Sequence, residues 1–167
     1  MDNKYIEKVN LLVFNYLSLI GISKDEKISE DNPISNYFYK NIYKFGVVKN
    51  INTINDDIIL SEDDFYKIIS ESYRVYEKID YLLNNQNIVY KEIIEQMIGD
   101  DIDFYIKTIA EQYKNSLYDI LLDYKSDDLN KIKIHVFTDK MFYYASLEEY
   151  EKSAEIKSII EKIKGKI

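Results

Sequence analysis

The chain has 167 residues, no cysteine, one histidine and a net charge of −8. Such a composition excludes a disulfide framework, a thiolate metal centre and any paired-histidine site, and an acidic surface repels nucleic acid and acidic lipid. No run approaches about 18 apolar residues, and Asp2, Lys4, Glu7 and Lys8 stand where a signal peptide carries its basic start and apolar stretch, so a cytoplasmic protein without a membrane partner is expected.

In chain order, Asp2 is placed to cap a first helix whose apolar positions Tyr5, Ile6, Val9, Leu12, Val13, Tyr16, Leu17 and Ile20 recur every three or four residues, with Gly21 as its stop. Asn32-Pro33 is a cap followed by proline at the first helical position, and Ile34, Tyr37, Phe38, Ile42 and Phe45 carry a short second helix to Gly46. The β-branched, Asn- and Asp-rich stretch 47–60 reads as a loop. Ser61-Glu62-Asp63-Asp64 then sets a cap hydroxyl and three carboxylates at the positive end of a third helix, which Phe65, Ile68, Ile69, Ser72, Tyr73, Tyr76, Ile79, Leu82 and Leu83 continue to about Asn84.

The polar turn Asn84–Asn87 leads into a fourth helix with Val89, Ile93, Ile94, Met97 and Ile98 on its core side and Gly99 at its end. A fifth helix is expected from about Asp101 to Tyr124 through Phe104, Tyr105, Thr108, Ile109, Gln112, Leu117, Ile120 and Leu121. Residues 131–137 alternate with a period of two, yet Leu129, Ile132, Val136 and Phe137 also share a helical face. Helix is the preferred reading, because a lone strand would have no partner. The fold class is therefore all-α: a multi-helix bundle over 1–137, with a C-terminal antiparallel helical hairpin over 138–167 expected to pack on it.

At the C-terminus, Ser146-Leu147-Glu148-Glu149 fits a capping box, and Ile156, Ile160, Ile163 and Ile167 form a seam spaced by four, three and four residues. Those features alone predict a helix folding back on the one that ends near Ala145. The run Tyr150-Glu151-Lys152-Ser153-Ala154-Glu155-Ile156 resembles the second helix of the UVR motif, a helical hairpin found in nucleotide-excision-repair subunits and in Clp-type chaperones and their adaptors. Tyr150 stands at its aromatic position, Glu151-Lys152 match directly, Ser153-Ala154 stand for its small pair, and Lys157-Ser158 depart from its usual Arg-Asp. The resemblance implies docking without chemistry, against a helical surface or another copy of the hairpin, through Leu147, Glu148, Tyr150, Glu151, Lys152 and Lys157.

Residues that carry chemistry are sparse. His135 is read as structural, the four glycines form no phosphate loop, and the clusters Asp56-Asp57, Glu62-Asp63-Asp64 and Asp100-Asp101-Asp103 do not fit a calcium loop. No catalytic residue, metal or cofactor is assigned, and the chain is not expected to be an enzyme. The 17 tyrosines accompany abundant Ile, Asn and Lys, the signature of AT-rich coding, and Arg74 is the single arginine. Lysine lacks the guanidinium fork that reads phosphates and base edges, so direct nucleic-acid binding is not expected. Two functions follow: an adaptor docking through the hairpin onto a Clp-type chaperone, a repair assembly or another helical protein, a second copy included; or an acidic, phage-type inhibitor mimicking nucleic acid. In the latter the carboxylates of residues 1–138, which hold the whole charge excess, meet a basic partner.

Overall fold

A computed structural model describes residues 3–42, 60–99 and 102–166. Among them the chain is all-α, with eight helices and no strand: α1 Asn3–Ile22, α2 Pro33–Asn41, α3 Glu62–Tyr76, α4 Ile79–Asn84, α5 Ile88–Ile98, α6 Ile102–Asp123, α7 Asn130–Ser146 and α8 Tyr150–Lys164. Asp2, Phe45, Gly46, Ile167 and the stretch read as a loop, apart from Leu60, lie outside the described residues. The chain divides into two compact units, Met1–Leu117 and Tyr118–Ile167. A boundary at 137/138 was expected; α7 runs unbroken through that point, and the division falls inside α6.

In the first unit, Val9, Leu12, Val13, Tyr16, Leu19 and Ile20 of α1 are buried, each apolar side chain contributing roughly 1.5–3 kcal/mol of transfer energy. Lys4–Ile22 is long and apolar enough by composition to cross a bilayer, but its most apolar side is packed inside the unit. Gly21 does not stop the helix. It lies within the last turn, and α1 ends one residue later, where the Asn87 N–H donates to the Ile22 carbonyl (2.6 Å) and the Lys24 N–H to the Asn85 carbonyl (2.5 Å) around a single Ser23–Gln86 bridge. A partner 63 residues away thus ends the helix, which no local signal could announce.

Asn32 caps α2 as expected, its side-chain oxygen accepting from the Ile34 and Ser35 amides at 2.9 and 3.1 Å. Ser61 caps α3 through the Asp64 amide at 3.1 Å, with Glu62, Asp63 and Asp64 in the first turn, where helix-dipole electrostatics accounts for them. The single helix expected from 62 to 84 is two: Lys78 leaves helical geometry (φ −116°, ψ 21°) and reaches the Glu26 carboxylate at 2.7 Å.

Periodicity misassigned the face of α5 and part of the face of α6. On α5 only Ile94 of the expected core side is buried among the described side chains, whereas Val89, Ile93 and Met97 are exposed; Gly99, with φ 75°, does follow the helix end. On α6 the expected Ile109, Leu117, Ile120 and Leu121 are buried, joined by Ile102, Ile106 and Tyr113, whereas Phe104, Tyr105 and Gln112 face outward. Both helices carry apolar residues on more than one side, so a period of 3.6 fixed the helix but not its rotation.

In the second unit, the end of α6 leads through a 3-10 turn, Asp127–Leu129, into α7. Residues 131–137 are helical, as preferred. The buried face of α7 is Asn130, Lys133, Val136 and Phe137: a lysine occupies a core position, and Ile132 is only half-buried. Phe137 meets the Tyr118 ring edge-on, centroids 5.4 Å apart.

Candidate functional site

Helices α7 and α8 form an antiparallel hairpin. Its register is set by the Ser153 hydroxyl donating to the Met141 carbonyl (3.0 Å) near the tip and by Lys166 standing 3.7 Å from Asp127 at the open end. Ile156 and Ile160 are buried along the seam, and Ile163 is half-buried. Ser153 is the small residue that faces α7; Ala154, expected to let the two helices approach, lies on the open side.

The turn is built differently from the capping box anticipated at Ser146. Ser146 is the last residue of α7 and its hydroxyl donates back to the Tyr143 carbonyl (2.6 Å), while no side chain caps α8. Instead the Glu149 N–H donates to the Tyr144 carbonyl (2.9 Å) and the Glu148 N–H to the Ala145 carbonyl (3.0 Å), with Glu148 at φ 60°. These two bonds around a left-handed residue are a Schellman closure. Glycine usually marks that position, and its absence here hid the motif.

Large apolar side chains are exposed on the residues that flank and form this turn. Phe142 is 63% exposed, Tyr143 45%, Leu147 49% and Tyr150 65%. Behind them Lys140 places its ammonium 5.1–5.3 Å from the ring centres of Tyr118, Tyr143 and Tyr144, and Lys152 stands 5.2 Å over Tyr144 while pairing with Glu149. Cation–π contacts of this kind add about 0.5–1 kcal/mol each at exposed sites and restrict ring rotation. Of the residues singled out in the sequence, Leu147, Glu148, Tyr150, Glu151 and Lys157 are exposed. Lys152 is also exposed but turns toward α7. At 100° per residue, Tyr150, Ala154 and Lys157 share one outward strip of α8.

A second exposed apolar surface, which sequence reasoning assigned to the core, lies in the first unit. Val89, Ile93 and Met97 are 65%, 51% and 77% exposed at four-residue spacing along α5, and Phe104 of α6 is 74% exposed. No signal in the sequence marks this stripe as outward.

The polar centre of the first unit is structural. Arg74 bridges Glu71 (3.0 and 2.7 Å) and Glu26 (2.6 Å), Lys78 holds Glu26 from the other side, and the Tyr16 hydroxyl donates to Glu71 at 2.7 Å while accepting from the Asn32 amide at 3.0 Å. Burial is the largest influence on both carboxyls and would raise their pKa values, but the hydrogen bonds from Arg74, joined by Lys78 at Glu26 and by Tyr16 at Glu71, hold them below the ordinary range. Beside this network an open cleft of about 800 Å³ is walled by Tyr37, Tyr66, Lys67, Ser70 and Arg74. Its Arg74 and Lys67 are engaged by Glu71 and Asp63, so the cleft presents no convergent catalytic set.

His135 lies on α7 with Nε2 3.5 Å from Asp139. Among the described residues no three carboxylate or imidazole groups converge on a point that could hold a metal ion. No family model, curated protein or solved structure matches the chain.

Proposed function

We propose that this chain is a non-enzymatic interaction protein that docks on a helical partner through the tip of its α7–α8 hairpin. The observation that carries the reading is the exposure of Phe142 and Tyr143 at the end of α7, Leu147 in the turn and Tyr150 at the start of α8, around a turn ordered by its own backbone hydrogen bonds. Lys140 beside the Tyr143 ring restrains that side chain, and a restrained aromatic loses little entropy on binding, which is what a docking anchor requires. Beside Tyr150, Ala154 leaves a shallow step on the open side of α8 against which a second helix could lie closely. The likeness of residues 145–157 to the UVR motif points to a Clp-type chaperone or a repair assembly as the partner, or to a second copy. The stripe on α5 adds a further apolar row suited to helix docking.

Because α7 is continuous through residue 138, the test uses substitutions at exposed positions rather than removal of the tail. Affinity capture from the native host is compared for the intact chain and for Leu147→Ser/Tyr150→Ser, each in low salt and in about 1 M salt, where the screening length is about 3 Å. Docking predicts that the double variant loses the partner and that salt changes little. Capture that survives the double variant and disappears in salt would replace this reading with the acidic mimic.

A further inference from the structure

In the second unit a cavity of about 310 Å³ opens between the end of α6, the start of α7 and the last turns of α8. Its walls include Leu121, Phe137, Ile159 and Ile163, and Lys166 stands at its edge. Lys133 also lines it. That residue is only 7% exposed, and its ammonium donates to the Tyr124 carbonyl at the end of α6. Among the described residues it has no carboxylate within ion-pair distance: Asp127, the acid that acts on it, pairs with Lys166.

An ammonium has three donors, and a buried cation is stable only when paired and hydrogen-bonded. The bond to the Tyr124 carbonyl leaves two N–H donors for a ligand or for water. Burial pulls the Lys133 pKa below the ordinary lysine value; Asp127 opposes this in part and Lys166 adds to it. The cavity therefore combines an apolar side of Phe137, Ile159 and Ile163, a polar rim that includes Ser126, Asp127 and Asn130, the Lys133 ammonium, and room for about ten non-hydrogen atoms, taking roughly 30 Å³ for each. Small-ligand sites join apolar lining to a small number of placed polar groups, and an anionic head here would sit on Lys133 with the Asp127 carboxylate on the same rim.

We propose that this cavity binds a short aliphatic carboxylate, its anionic head on Lys133 and its chain between Phe137, Ile159 and Ile163. The chemistry is shared by a medium-chain fatty acid and by the free carboxyl end of an apolar peptide. The competing role for Lys133 is purely structural, closing the C-terminus of α6 through Tyr124, and this predicts no ligand. The cavity lies about 20 Å along α8 from Tyr150, at the open end of the hairpin, so it is independent of the docking tip.

The test titrates the full chain with octanoate and follows the methyl resonances of Ile159 and Ile163. Saturable shifts are expected, with octan-1-ol at least about tenfold weaker because it lacks the charge-assisted bond. Lys133→Met, which keeps the side-chain length, is expected to lose octanoate by at least the same factor while retaining its helical circular dichroism. Should that variant unfold, Ile163→Phe, which fills the cavity without touching the ammonium, is expected to lose octanoate in a folded protein. Leucyl-leucine with a free or an amidated carboxyl distinguishes the sources. Binding of the free form marks a peptide terminus, and its absence beside octanoate binding marks a fatty acid. Equal binding of octanoate and octanol, no methyl shift with octanoate, or undiminished binding by folded Lys133→Met would overturn the proposal.

Discussion

The N–H of Glu149 donates to the carbonyl of Tyr144 at 2.9 Å, closing α7 over a residue, Glu148, whose φ is 60°. A side chain in that backbone region costs roughly 1–2 kcal/mol that glycine does not. Glu148→Gly is therefore expected to stabilise the second unit by up to about 1 kcal/mol after its added unfolded-state entropy, and Glu148→Val to destabilise it. Urea midpoints of the two variants, moving in opposite directions, are the measurement.

Ser72 is fully buried on α3, and its hydroxyl oxygen has no hydrogen-bond partner among the described residues, although its backbone carbonyl accepts from Tyr113. An unsatisfied buried hydroxyl opposes folding, and alanine removes it with almost no change of shape. Ser72→Ala should leave stability unchanged or raise it by up to about 1 kcal/mol, whereas Tyr113→Phe, which removes the hydroxyl's bond to that carbonyl, should lower it by about 1 kcal/mol. Thermal unfolding of both proteins checks the pair.

Acid should open the first unit. Glu26 and Glu71 have folded pKa values below the ordinary 4.5, so the unfolded chain binds protons first as pH falls. Their contribution is complete above about pH 4.5 and is lost as pH drops through the depressed values. Glu71→Gln, with no charge to offer Arg74, should cost about 2 kcal/mol at neutral pH and flatten this acid limb. Urea unfolding between about pH 6 and pH 3 reads both effects, and an unchanged acid limb in the variant would count against the assignment.

The hairpin should separate packing from docking. Ile156 and Ile160 are 4% and 5% exposed, and truncating either to alanine is expected to cost about 2–4 kcal/mol. Tyr150→Ser, at an exposed position, should change stability by less than about 0.5 kcal/mol. A large destabilisation by Tyr150→Ser would show that the ring supports the fold rather than a partner.

Helix existence was legible where signals were local: the Asn32-Pro33 and Ser61 caps and the isoleucine seam of α8 all identify elements that the structure contains. What escaped was anything set at a distance. The division of 62–84 at Lys78 depends on Glu26, the end of α1 depends on Asn87, and the rotation of α6 depends on which neighbours cover Ile102 and Ile106 rather than Phe104. In the hairpin the sequence marked Leu147 and Tyr150 but missed Phe142 and Tyr143, because α7 carries apolar residues on opposite sides and lysine in its buried stripe. A Schellman turn without glycine has no compositional signature, so a cap was sought at Ser146, three residues too early.

All but one of the 22 basic residues are lysine, and the exception is the side chain that bridges Glu26 and Glu71. A guanidinium can direct separate N–H bonds to two carboxylates along fixed vectors, whereas an ammonium offers a single charged point. In a protein whose other cations are all lysine, the geometry at Arg74 is the one that a lysine would not reproduce. Replacing Arg74 by lysine would leave the formal charge untouched and still loosen the segment around Glu26 from α3.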